Sequence, residues 1–191
     1  MRTRVCLAAF LALYSVLALA QADHALLAKL RHGGYVLFMR HTSTDFSQND
    51  SRMKSYEDCA HQRNLTDKGR DEARALGAQI KRLKIPIGTV YASPFCRTLE
   101  TARLAFGPAE TTNEARGGPA NTNDPTRYDP LRKLLATRPP SGKNNVISSH
   151  GNPFYAVFGP PYLAEGEMAV VEPSAFVVVG KIRIEDWQAF H

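Results

Sequence analysis

The 191-residue sequence predicts an α/β fold, a three-layer sandwich around a largely parallel sheet. Three observations predict it. Apolar, strand-like runs recur as "YVLFM", "GTVYAS" and "NNVISS". Between them lie amphipathic segments with helix-start and helix-stop residues. Each run also ends on, or just before, a basic side chain, the pattern of strands that deliver their carboxyl ends to one rim.

The first twenty residues, "MRTRVCLAAFLALYSVLALA", stand apart. Arg2 and Arg4 precede a stretch without charge from Val5 to Ala20, and Ala18-Leu19-Ala20 offers a small-x-small cleavage site. That is the anatomy of a secretory signal peptide, residues 1–20, with residues 21–191 left as a single domain. The alternative is a retained anchor, for which the run is short of the roughly 20 apolar residues that a span needs. Cys6 lies too early to be a lipoprotein cysteine. No stable membrane insertion is expected once the segment is cut.

The elements then follow in order. "DHALLAKLRHGG" reads as a short amphipathic helix, capped by Asp23 and stopped by Gly33-Gly34. "YVLFM" has the continuous apolar character of a strand covered on both faces. In "TDKGRDEARALGAQIKRLK", Thr66 is the N-cap and Asp67 complements the helix dipole. Ala73, Leu76, Ile80 and Leu83 recur at helical spacing, and Pro86 ends the segment. "GTVYAS" is a second strand, and Pro94 opens a helix through "FCRTLETARLAF" to Gly107. Residues 107–125, rich in Gly, Pro, Asn and Thr, read as a long irregular insert of the kind that often carries function. "TRYDPLRKLLATR" is a helix, "NNVISS" a third strand, and "FYAVFG" a short helix. "MAVVEPSAFVVVGKI" supplies two last strands split by Pro173, and Trp187 near the end is expected as a core or edge plug.

Formal net charge is +6, of which Arg2 and Arg4 belong to the leader. The remaining excess is mild and dispersed. It suits a small anionic substrate and is weak support for nucleic acid, which is not expected as a partner. Two cysteines, Cys59 and Cys96, survive cleavage. An oxidising compartment favours their pairing, and two buried free thiols are the other state open to them.

Chemistry concentrates at the strand ends. Arg40-His41 follows the first strand, Arg97 the second and His150 the third. Taken singly, a strand-end histidine is usually a structural hydrogen bonder and a helix-start arginine a solvated charge. Taken together on one rim, two guanidinium groups can fork onto phosphate oxygens while a neutral imidazole attacks phosphorus. The sequence has no His-Glu-x-x-His, no Cys-x-x-Cys and no carboxylate cluster with ligand spacing, so neither metal nor cofactor is expected.

"FMRHTSTD", "NLTDKGRDEA", "SPFCRTLETA" and "VISSHGNP" occur in the order of the histidine phosphatase superfamily motifs, and the chain resembles that phosphoglycerate mutase-like family from about Gly34 to Pro153. "CAHQRNLTDKG" and "EGEMAVVEP" are similar to a periplasmic branch that includes lipopolysaccharide core heptose phosphatases. The resemblance implies His41 as a nucleophile that becomes phosphohistidine, Arg40 and Arg97 as phosphoryl clamps, and His150 as a hydrogen-bond donor. It implies an exported, periplasmic phosphatase for a small phosphorylated substrate or a phosphorylated glycolipid, such as a lipopolysaccharide sugar phosphate. A phosphohistidine phosphatase, a mutase and a non-catalytic phosphate- or phosphosugar-binding protein are the alternatives.

Two positions depart from the family pattern. Thr42 stands where glycine is usual and is a candidate phosphate contact, the alternative being a side chain that only narrows the pocket. The proton donor lacks its usual setting: Glu114 is the nearest match, with Asp124 and Asp129 as rivals and a solvated loop carboxylate as the plain alternative. Arg63, just before the helix that Thr66 caps, is a candidate for substrate binding. Glu165 and Glu167 are weaker candidates for a pocket wall.

Overall fold

The computed structural model describes residues 24–118 and 123–190. The proposed leader, residues 1–20, and the expected cap Asp23 lie outside the described residues. Among the described residues, no helix is long and apolar enough to cross a membrane.

Helix α1 covers residues 24–32. It is followed by β1 (Val36–Arg40), α2 (Asp67–Arg82), β2 (Ile87–Ala92) and α3 (Cys96–Phe106). Next come β3 (Glu110–Thr111), α4 (Asp129–Ala136), β4 (Asn144–Ser149) and α5 (Gly151–Phe158). Strands β5 (Met168–Glu172) and β6 (Val177–Ile182) close the sheet. Its order is β3-β2-β4-β1-β5-β6. The β3-β2-β4-β1 block is parallel, and β5 and β6 add an antiparallel edge.

Alternation along β1 builds the three layers. Leu37 and Met39 pack with Leu27 and Leu30 of α1, Leu76 and Ile80 of α2, and Ala102 and Ala105 of α3. Val36 and Phe38 face the other way, onto Leu131 and Leu135 of α4 and Phe154 of α5. Trp187 is fully buried in the first of these layers. As expected, Thr66 caps α2, its side chain accepting the Gly69 N–H. Gly69 allows the first turn of α2 to press on the segment after His41, because a Cβ there would lie 2.1 Å from the Ser43 carbonyl oxygen.

The parallel strands bring their carboxyl ends level. Arg40 of β1 pairs with Ser149 of β4, and Ala92 of β2 pairs with Ser148. Backbone bonds extend the alignment past the strands: His41 N–H donates to Ser149 O and Ser93 N–H to Ser148 O. Position 41, the α3 N-terminus and position 150 thus share one rim. The insert after α3 differs in part from a plain loop. It contributes β3 beside β2 and a 3-10 turn, Asn113–Ala115, before returning to irregular chain.

Candidate active site

The rim opens into a cavity of about 340 Å³ lined by Arg40, His41, Arg63, Arg97 and His150, with Asp50 between them. His41 is buried. Its Nδ1 lies 2.9 Å from the Thr42 carbonyl oxygen, which can only accept. Nδ1 therefore carries the proton, and the Nε2 lone pair is the free one. Burial drives the His41 pKa down to about 3, the Thr42 bond opposes the shift, and the charges of Arg97, Arg40 and Arg63 reinforce it. The imidazole is neutral at physiological pH, the state a nucleophile needs.

His150 caps α5 and is also buried. Its Nε2 is 2.8 Å from Ser93 Oγ, and its ring stands edge-on to His41, centroids 5.6 Å apart. Burial first, then Arg97, holds its pKa well below the usual histidine value. Gly117 of the insert passes so close that a Cβ there would sit 3.0 Å from the His150 ring.

Arg97 and Arg40 are each held by a carboxylate and a carbonyl. Arg97, in the first turn of α3, gives Nη1 to Asp50 Oδ1 (2.9 Å) and to Arg63 O (3.2 Å), and its guanidinium lies over the Phe95 ring. Arg40 donates to Leu163 O (2.9 Å) and to Glu165 Oε1 (3.4 Å). Burial pulls the guanidinium pKa of both downward, and Asp50 and Glu165 respectively pull them back. Arg40, Arg63 and Arg97 each keep a buried Nε–H with no acceptor. Three such donors around one cavity ask for an oxyanion, since buried N–H groups are normally paired. The first turn of α5, with Gly151 and Asn152 on the cavity wall, adds a helix N-terminus that favours negative charge.

The loop between β1 and α2 supplies Asp50 and Arg63. It is pinned by a bridge between Thr44 and Leu65, and by Gln62, whose side chain accepts from Cys96 N–H and donates to Tyr56 O. A disulfide joins Cys59 to Cys96, so the loop is tied covalently to the residue before Arg97.

Two sequence expectations meet a different arrangement. Thr42 does not face the cavity. Its side chain is fully buried, with Oγ1 3.2 Å from Thr101 Oγ1, and its N–H donates to the same oxygen. The extra side chain is taken up by packing against α3 rather than narrowing the pocket. Glu114 is not brought to the cavity either. It is exposed on the 3-10 turn and lines a separate groove with Arg116 and Arg127. The turn directs Ala115, not Glu114, into the core. Glu165 sits closer than its weak sequence signal implied: it accepts from Thr44 N and Oγ1 and lies 3.9 Å from His41 Nδ1. Glu167 instead accepts from the Ala164 N–H within its own turn. Asp50 carries no sequence signal of its own.

The family model for the histidine phosphatase superfamily (branch 1) matches residues 36–116. Over that stretch the chain is similar to the histidine phosphatase superfamily. Solved structures share this fold. A phosphohistidine phosphatase candidate, SixA, from Agrobacterium tumefaciens aligns with a TM-score of 0.54 at 13% identity, covering 78% of this chain and 97% of that one. The protein histidine phosphatase SixA complexed with tungstate gives 0.53 at 20% identity, covering 80% and 98%. The Rv3214 protein of Mycobacterium tuberculosis gives 0.50 at 21% identity, covering 72% and 90%. Among curated protein sequences, none matches.

Proposed function

We propose that the chain is an exported phosphatase that hydrolyses a phosphomonoester through a phosphohistidine on His41. The observation that carries this reading is the pairing of a neutral, Nδ1-anchored His41 with three arginines whose buried Nε–H groups lack acceptors. A phosphoryl group placed there meets donors on its oxygens and a lone pair on its phosphorus. Phosphoryl transfer asks mainly for that alignment and charge neutralisation. His41 Nε2 attacks, Arg40, Arg63 and Arg97 hold the equatorial oxygens, and His150, oriented by Ser93, donates a further hydrogen bond. Water then hydrolyses the phosphoenzyme. A protein with the same fold is described in complex with tungstate, an oxyanion, which supports oxyanion binding on this fold.

The substrate class follows from the setting. The leader-like residues 1–20 and the Cys59–Cys96 disulfide support export to a periplasm. In that compartment a phosphorylated glycolipid, such as a sugar phosphate of lipopolysaccharide, is a suitable phosphomonoester. A second reading, phosphohistidine as substrate, draws on the relatives described as phosphohistidine phosphatases.

Turnover of p-nitrophenyl phosphate by the parent and by His41→Ala tests the assignment. Turnover is expected to vanish in the variant, with a covalent phosphoenzyme trapped only in the parent. Undiminished turnover in His41→Ala would remove the nucleophile. Saturable phosphate binding without turnover of any ester would make the chain a binding protein.

A further inference from the structure

We infer that Asp50 is the general acid that protonates the leaving oxygen, and then the base that activates water. This rests on the phosphatase reading above. Among the described residues, Asp50 is the one carboxylate on the cavity wall. Both of its protein contacts go to Oδ1, from Arg97 Nη1 and from the Arg63 N–H, each at 2.9 Å. Its Oδ2 is left without a partner among the described residues, and the side chain remains 32% exposed. The other carboxylates near the site are committed or distant. Glu165 uses both oxygens on Thr44 and Arg40 and is absent from the cavity wall. Glu114 lines a different groove.

The shared arginine couples this carboxylate to the substrate. In the free protein Asp50 lies against the Arg97 guanidinium. A phosphoryl group on Arg97 brings a second anion to the same cation, and like charges at close range favour a proton on one of them. A substrate entering as the monoanion carries that proton, and the unpartnered Oδ2 accepts it.

The steps balance. The His41 Nε2 lone pair forms the N–P bond, and the P–O bond to the leaving group breaks with its electron pair on oxygen. The Asp50 proton goes to that oxygen. Asp50, now a carboxylate, takes a proton from water as the water oxygen bonds to phosphorus. The P–N bond breaks, its pair returns to Nε2, and inorganic phosphate leaves.

The test is leaving-group dependence. General acid catalysis contributes about 10²–10⁴-fold where the leaving group is a poor alkoxide, and far less for a stable phenolate. In Asp50→Asn, single-turnover phosphorylation by glycerol 2-phosphate is expected to slow about 100-fold or more. The p-nitrophenol burst should slow about 10-fold or less, and Asp50→Glu should recover part of the alkyl ester rate. An equal loss on both esters, or a loss confined to KM, would overturn the proposal and leave Asp50 as a positioning residue for Arg97. A parent that turns over p-nitrophenyl phosphate with Asp50→Asn unimpaired on both esters overturns it while sparing the phosphatase reading. A parent inactive on both overturns the two together.

Discussion

His41 has one nitrogen tied down and one free, and in the proposed reaction the neighbours of the tied nitrogen decide how well a phosphoryl group is accepted. When Nε2 bonds to phosphorus, the ring becomes cationic. Thr42 O at 2.9 Å and Glu165 Oε1 at 3.9 Å then face the Nδ1–H. Glu165 is mostly buried and also orients Arg40, so in the proposed reaction its charge stabilises the phosphoenzyme twice over. Glu165→Gln keeps an acceptor for Thr44 and removes the charge. The phosphorylation rate on p-nitrophenyl phosphate is expected to fall about 10-fold, matching the roughly 1.5–3 kcal/mol of a charge-assisted hydrogen bond less what the amide retains. Rapid-quench trapping of the phosphoenzyme reads it. An unchanged rate would show that Thr42 O alone suffices to support the cation.

The loop from Thr44 to Leu65 is the element on which the site depends most and from which the sequence reveals least. It carries Asp50 and Arg63 and is fastened by the Cys59–Cys96 disulfide across 37 residues. Closing a loop of that length removes denatured-state entropy worth about 3–4 kcal/mol. Cys59→Ser with Cys96→Ser is therefore expected to lower Tm by about 6–16 °C, at about 2–4 °C per kcal/mol for a chain of this size. Phosphate affinity should weaken as well, because Arg63 and Asp50 are released from α3. Calorimetry with and without phosphate measures both, and a Tm shift with unchanged affinity would show that Gln62 and the Thr44–Leu65 bridge hold the loop alone. Legibility follows the same division. Arg40, His41, Arg97 and His150 were readable because each ends a strand or opens a helix with its own apolar period, and topology sends those ends to one rim. Asp50 was not, since an irregular loop has no period and its register is set by contacts distant in sequence. Glu114 misled for the same reason: a 3-10 turn of three residues decides which side chain points inward. The short β3 and the antiparallel edge were lost within runs too short or too apolar to show direction.

The whole molecule bears an energetic cost for keeping two neutral histidines among three arginines. In the unfolded chain His41 and His150 titrate near 6.5, whereas in the fold His41 falls to about 3 and His150 well below its usual value. Between those limits the unfolded state binds more protons, so stability rises with pH. Their contribution is fully present above about pH 6.5 and is lost progressively as pH falls toward 3. Each histidine adds up to about 1.4 kcal/mol per pH unit, so the pair gives roughly 2–3 kcal/mol per unit below pH 6. Against a total of about 5–15 kcal/mol for a typical domain, that is a large slope. Urea unfolding at pH 7, 6 and 5 measures it above the range where ordinary carboxylates titrate. The parent is expected to lose about 2–3 kcal/mol between pH 6 and 5, and His41→Asn and His150→Asn to show about half that slope each. Bound phosphate should flatten the curve, because an oxyanion beside the rings lets them accept protons without facing the arginines alone. A parent whose stability is level from pH 7 to 5 would mean that the rings titrate in the fold as they do in the unfolded chain, and a His41 that becomes cationic as pH falls through about 6.5 has no lone pair there with which to attack phosphorus.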